Sequence, residues 1–235
     1  MGSNPAGNYL GTDGVTRYVK FYDDPVQSCC ELLTSRIYAE LGIDTPNSQL
    51  FEHHGKLAHA SIWRDDLIGD FSDKKLPKEY SQEFLRGFHA DVLTANWDVI
   101  GLLRENVAVT RTGGVMRLDN GSGLLMRAQG GKKPAALLNR IGEIDSYFTE
   151  LNWSYSMEAE AAGYTSHADV PNLKRCWNSP CFMCTKSGMD EWTNMMNAHL
   201  PDFSKTHPDE FQAVVERLET RTEALKALVQ QEDQV

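Results

Sequence analysis

Apolar residues recur at steps of three and four from Val26 through Cys29, Cys30, Leu33, Ile37 and Leu41, the spacing that lays one stripe along a helix. Asp24 before Pro25 supplies its N-cap and first helical residue, and Gly42 is placed to end it. On its N-terminal side, residues 15–22 form a β-branched and aromatic run behind the turn Thr12-Asp13-Gly14, which predicts a strand. On its other side, residues 45–51 and 57–63 predict two strands around His54-Gly55-Lys56. Residues 81–93 predict a helix with Phe84, Leu85, Phe88 and Val92 inward. Val107-Ala108-Val109 and Val115-Met116-Arg117-Leu118 predict a hairpin closed at Gly113-Gly114. Helical patterns then dominate. Leu137, Leu138, Ile141, Ile144 and Phe148 make one stripe, and residues 208–229 carry Phe211, Val214, Val215, Leu218, Leu225 and Leu228. Strands early and helices late make an α+β chain.

The hairpin gives the polar residues around it a meaning. Asn106 precedes its first strand and Asp119 follows its second, so both are expected at one end. An amide oxygen and a carboxylate are hard-oxygen ligands, suited to Mg²⁺ carried by a nucleotide. Asp98, upstream, is available as a base. The N-terminal part supplies complementary chemistry. The opening Gly2-Ser3-Asn4-Pro5-Ala6-Gly7 can present backbone N–H groups to phosphates. Lys20 lies inside the strand that follows, between Val19 and Phe21, and Glu31 lies beside the apolar stripe of the helix, within reach of Lys20. The opening is not a Walker A loop, because no G-x-x-x-x-G-K-[ST] occurs.

These motifs, together with Asn96-Trp97-Asp98 and Leu118-Asp119-Asn120-Gly121, span about half of the chain. With them the sequence resembles the atypical members of the protein-kinase-like superfamily, closest in style to HipA-type kinases, phosphatidylinositol-kinase-like proteins and small phage or bacterial effector kinases. The resemblance implies a two-lobed kinase-like fold, with a small mixed β/α lobe at residues 1–64 and a mostly helical large lobe at 65–235. It implies ATP and Mg²⁺ as cofactors. Gly2, Ser3, Asn4, Gly7 and Lys20 would hold the phosphates, and the backbone at Ile62 and Trp63 would hold the adenine. Glu31 would fix Lys20, Asp98 would act on the acceptor hydroxyl, and Asn106 and Asp119 would bind the metal. The acceptor it implies is a protein Ser or Thr hydroxyl. There are departures: no His-Arg-Asp, Asp-Asn-Gly in place of Asp-Phe-Gly, no Ala-Pro-Glu segment, and wide spacing between Asp98 and Asn106.

Composition narrows the alternatives. The 235 residues are 41% hydrophobic, enough for one bilobal unit or two small domains. A net charge of −10 argues against a nucleic-acid partner. No apolar run approaches the roughly 18 residues of a membrane span, and no charged-then-apolar leader opens the chain. Five cysteines, an odd count, point to a reducing compartment, so a cytoplasmic location is expected, in the producing cell or in a host cell for an effector. The basic stretch 127–133 offers a local positive patch. A different chemistry is suggested by Pro180-Cys181-Phe182-Met183-Cys184, half of a zinc-deaminase signature, with His89-Ala90-Asp91 or His167-Ala168-Asp169 as the incomplete other half. Cys176, Cys181 and Cys184 with His167 or His199 could also hold a structural zinc. A pseudokinase interaction module is the non-enzymatic alternative.

Overall fold

In a computed structural model, which describes residues 5–68, 78–99, 105–128, 130–135, 141–142 and 188–232, the chain opens with an antiparallel hairpin. Strand β1 (Ala6–Leu10) pairs with β2 (Thr16–Phe21). The turn is held by Asp13, whose carboxylate accepts from the Val15 amide at 3.1 Å and pairs with Arg17 at 2.6 Å. Helix α1 (Pro25–Glu40) follows, with the Asp24 carboxylate accepting from the Val26 amide at 2.9 Å. Strands β3 (Ser48–His53) and β4 (Lys56–Ile62) complete a four-stranded sheet in the order β1-β2-β4-β3. A short β5 (Leu67–Ile68) starts a second sheet, β5-β6-β7, with β6 (Val107–Thr110) and β7 (Val115–Arg117) as the expected hairpin. Helices α2 (Lys78–Leu85), α3 (Phe88–Leu93), α4 (Met189–His199), α5 (Phe203–Thr206) and α6 (Pro208–Glu232) make up the rest of the described secondary structure. No helix among the described residues is long and apolar enough to cross a membrane.

Three element-level expectations are corrected. Gly7, read as part of an opening loop, lies within β1 opposite Val19. The strand expected over residues 45–51 begins at Ser48 and runs to His53. The single helix expected over residues 81–93 is two helices broken at Gly87. The reason for the break is Arg117. Its guanidinium lies against Gly87, stacks over the Phe84 ring at 4.3 Å, and donates from Nη2 to the Phe84 carbonyl at 2.8 Å. A side chain inserted at a helix end and capping its last carbonyls stops the helix there.

Helix α1 is buried on both sides. Glu31 and Ser28 turn towards the four-stranded sheet, where Ser28 donates to the Leu57 carbonyl at 3.2 Å. Cys29, Cys30, Leu33 and Ile37 enter the main core with Phe84, Leu93, Trp192 and Leu218. The sheet and the helical part therefore share α1 as a common wall. Cys29 and Cys30 are free thiols within it, and burial pushes their pKa values up to about 12 and about 11, which leaves them unreactive.

Candidate active site

Strand alternation places Tyr18 and Lys20 on one face of β2, and Tyr22 follows directly after the strand. Lys20 sits directly opposite His59 of β4. Helix α1 covers this face and brings Glu31 to Lys20. The Lys20 Nζ donates to Glu31 Oε1 at 2.7 Å, and the Tyr22 hydroxyl donates to Glu31 Oε2 at 2.5 Å. Glu31 is 1% exposed and Lys20 8%. A buried carboxylate needs such partners, because desolvation alone would protonate it. His59 is buried beside the pair, its Nδ1 3.4 Å from Glu31 Oε2. Burial holds the His59 pKa below its ordinary value despite the Glu31 charge.

The second half comes from the hairpin of the other sheet. The Leu118 amide donates to the Asn106 carbonyl at 2.8 Å, which fixes Asn106 beside the end of β7. The Asn106 side-chain nitrogen donates to the Asp98 backbone carbonyl at 2.7 Å, spanning the wide gap between them. With that nitrogen committed, Oδ1 is the Asn106 atom left to accept a further partner. Asp119 follows β7 and reaches the other sheet, its Oδ1 2.9 Å from Lys20 Nζ. Its side chain stays 46% exposed. Although burial works the other way, Lys20 holds the Asp119 pKa below the ordinary carboxylate range. Asp98 behaves oppositely. Burial, reinforced by the Asp119 charge, pushes its pKa up to about 6. Two carboxylates with pKa values driven apart are the usual sign of divided chemical roles.

The structure thus brings Lys20, Glu31 and Asp119 into contact and sets Asn106 against Asp98. Gly2, Ser3 and Asn4 lie outside the described residues. At the expected adenine stretch, the Ile62 amide donates to the Asn47 carbonyl at 2.8 Å and the Trp63 amide to the Thr16 carbonyl at 2.9 Å. Those two donors are engaged within the protein, and the half-exposed Trp63 ring is the group this stretch presents outward. Asn120 anchors the Asp-Asn-Gly turn to α1, donating to Ser35 Oγ and Thr45 Oγ1, each at 3.0 Å.

Several participants escaped the sequence reading. Tyr22 was within reach of it, because it lies two residues after Lys20 in the run 15–22. Asn96 belongs to the Asn96-Trp97-Asp98 motif. Its amide oxygen accepts from the Asp98 amide at 3.2 Å and from the Ser122 hydroxyl, and its nitrogen donates to the Tyr38 hydroxyl at 3.0 Å. Lys133, read within a surface basic patch, is 4% exposed. Asp91, the acid of one deaminase half-motif, is held by Arg117 at 2.8 Å and by the Tyr38 hydroxyl at 2.6 Å. Cys176, Cys181, Cys184 and His167 lie outside the described residues. His199 sits 3.3 Å from Glu40, and no metal-holding cluster of His, Cys, Asp or Glu occurs among the described residues.

No family model and no curated protein matches the sequence. Solved structures do. The Helicobacter pylori proinflammatory kinase CtkA aligns over 99% of this chain and 92% of its own, with a TM-score of 0.51 and 14% identity. The chain has an atypical protein-kinase-like fold. A second likeness is to a chain of the Shewanella oneidensis MR-1 toxin–antitoxin complex of HipA, HipB and operator DNA. It has a TM-score of 0.54 and 11% identity, and covers 100% of this chain and 66% of that one. The antiparallel sheet of residues 6–62 followed by a helical C-terminal part is the α+β arrangement that this fold requires.

Proposed function

We propose that this chain is an ATP- and Mg²⁺-dependent phosphotransferase whose acceptor is a protein Ser or Thr hydroxyl, with residues 1–64 as its small lobe and 65–235 as its large lobe. The observation that carries the reading is the buried Lys20–Glu31 pair at 2.7 Å with Asp119 on the same ammonium at 2.9 Å. It joins the nucleotide-side lysine and the metal-side carboxylate through one contact. The donor set fits the cofactors. Asp119 offers a half-exposed carboxylate and Asn106 an amide oxygen, and Mg²⁺ brought by a nucleotide takes only one or two protein oxygens besides phosphate and water.

In this reading Lys20 holds the nucleotide phosphates, and Glu31, braced by Tyr22, sets the position of Lys20. Asp98, with a pKa of about 6, is mostly ionised at neutral pH and accepts the proton of the acceptor hydroxyl. Asn96, bonded to the Asp98 amide, fixes that loop. Bound Mg²⁺ supplies neutralisation of the charge on the phosphates. Positioning and charge neutralisation are most of what phosphoryl transfer needs.

The test is incubation with Mg-ATP followed by intact-mass and phosphopeptide spectrometry of the protein and of added lysate. Mass additions of one phosphate on Ser or Thr, absent in Asp98→Asn and in EDTA, are expected. Nucleotide binding without transfer to any protein would sink the proposed acceptor, and absence of ATP binding would sink the reading as a whole.

A further inference from the structure

Lys133 is as buried as a core residue, yet it carries a charge. Its ammonium donates to three backbone carbonyls: Ala95 at 2.6 Å, Ser122 at 2.5 Å and Leu124 at 3.2 Å. It also lies 5.0 Å from the centroid of the Trp97 ring, within cation–π range. These groups belong to two loops. Ala95 and Trp97 flank Asn96 in the segment that ends at Asp98. Ser122 and Leu124 follow the Asp119-Asn120-Gly121 turn. The Leu124 amide also donates to the Thr94 carbonyl, at 2.5 Å, so the loops are joined at this point by backbone as well.

Two of the three carbonyls come from strained residues. Ala95 has φ +50° and Leu124 φ +53°, the left-handed region that a Cβ disfavours. Such conformations persist only where surrounding contacts over-determine them, and they gather at functional sites. Both are pinned by one ammonium. Lys133 is too enclosed to meet a nucleotide, so its influence on the site runs through these loops.

We propose that Lys133 is a positioning residue: its ammonium holds the left-handed turns at Ala95 and Leu124 together and thereby fixes the Asp98 loop against the Asp119 loop. The consequence for turnover rests on the phosphotransferase reading, while the loop-locking itself does not.

Lys133→Met keeps the stem and removes the charge and its donors. Amide hydrogen exchange at Asp98 and Leu124 is expected to speed up by about tenfold or more, with Leu33 and Ile37 of α1 changing far less, as local opening separates from global unfolding. Under Mg-ATP, kcat is expected to fall by about a hundredfold, the scale of a misplaced catalytic group, with KM for ATP little changed. Adding Ala95→Gly is expected to recover part of both losses, because glycine takes positive φ without strain. Uniform acceleration of exchange across the molecule, or unchanged exchange at both loops, overturns the proposal. So does a double variant no better than Lys133→Met. A wild-type protein that transfers no phosphate defeats the phosphotransferase reading, and the exchange rates still decide the role of Lys133. If Lys133→Met does not fold, Lys133→Gln, which keeps two N–H donors but not the third or the charge, is expected to give a smaller rise in exchange confined to the same two loops, and a uniform rise across the molecule or none at either loop overturns the proposal.

Discussion

A lysine on a strand is ordinarily replaceable within about half a kcal/mol, and Lys20 is not in that position. Lys20→Met leaves Glu31 buried with its main counter-charge gone, so urea denaturation is expected to show a loss of about 3–5 kcal/mol. Glu31→Gln removes the stranded charge. The double variant is therefore expected to be more stable than the sum of the two singles, and simple additivity would mean that the pair is not formed in solution. Asp98 gives a pH signature. Its folded pKa of about 6 lies above the ordinary 3.8, so the folded state binds more protons between those values and stability falls as pH rises through that window. Asp98→Asn is expected to melt higher than the parent above about pH 6, by about 1 kcal/mol once the exposed part of the side chain is discounted, and to match it below about pH 4. The kcat/KM of the parent, which reports the free enzyme, should rise with pH and reach half its plateau near pH 6, because the ionised carboxylate is the working form. A flat profile between pH 5 and 7 would remove Asp98 from the role of base. These residues were legible from hairpin logic and strand position. Lys133 was not, because its sequence neighbours are basic and glycine-rich and only the fold turns it inward.

At the scale of elements, most boundaries followed from capping and periodicity. Asp24-Pro25 opened α1, Gly113-Gly114 closed the β6–β7 hairpin, and the β-branched and aromatic run of residues 15–22 marked β2. What could not be read was any break imposed from a distance. The end of α2 at Leu85, just before Gly87, is set by Arg117, from another element. Gly121 is a further case of a local residue dictated by a remote one. A Cβ placed there would lie 2.5 Å from the Tyr22 hydroxyl and 3.4 Å from its ring carbon. Gly121→Ala is expected to destabilise by about 1–3 kcal/mol through overpacking. Tyr22→Phe, by deleting the oxygen, should make the same alanine tolerable. A thermal-melt comparison of the two single variants and the double variant checks this, and equal losses from Gly121→Ala in both backgrounds would show that Tyr22 is not the obstacle.

For the whole molecule, the fold class followed from element order, whereas the shared core could not, since periodicity shows that α1 has an apolar stripe but not that its polar face is buried too. If the two sheets meet at a nucleotide, Mg-ATP at a hundred times its Kd should add about 2.7 kcal/mol, or about 5–10 °C in Tm for a chain of this size. Asp119→Ala should lose the part of that shift that EDTA abolishes in the parent. An unchanged shift would move the metal site elsewhere. One contact ties the assembly to the order of synthesis. Arg221 of α6 is 1% exposed and donates to the Val92 carbonyl in the last turn of α3, 129 residues earlier in the chain. The helix that leads into the Asp98 loop thus receives this partner only after residue 221 has been made. At about 5–20 residues per second that is a delay of about 6–26 s. A nascent chain on the ribosome would carry every residue of the proposed catalytic set while the helix before Asp98 still lacked this partner.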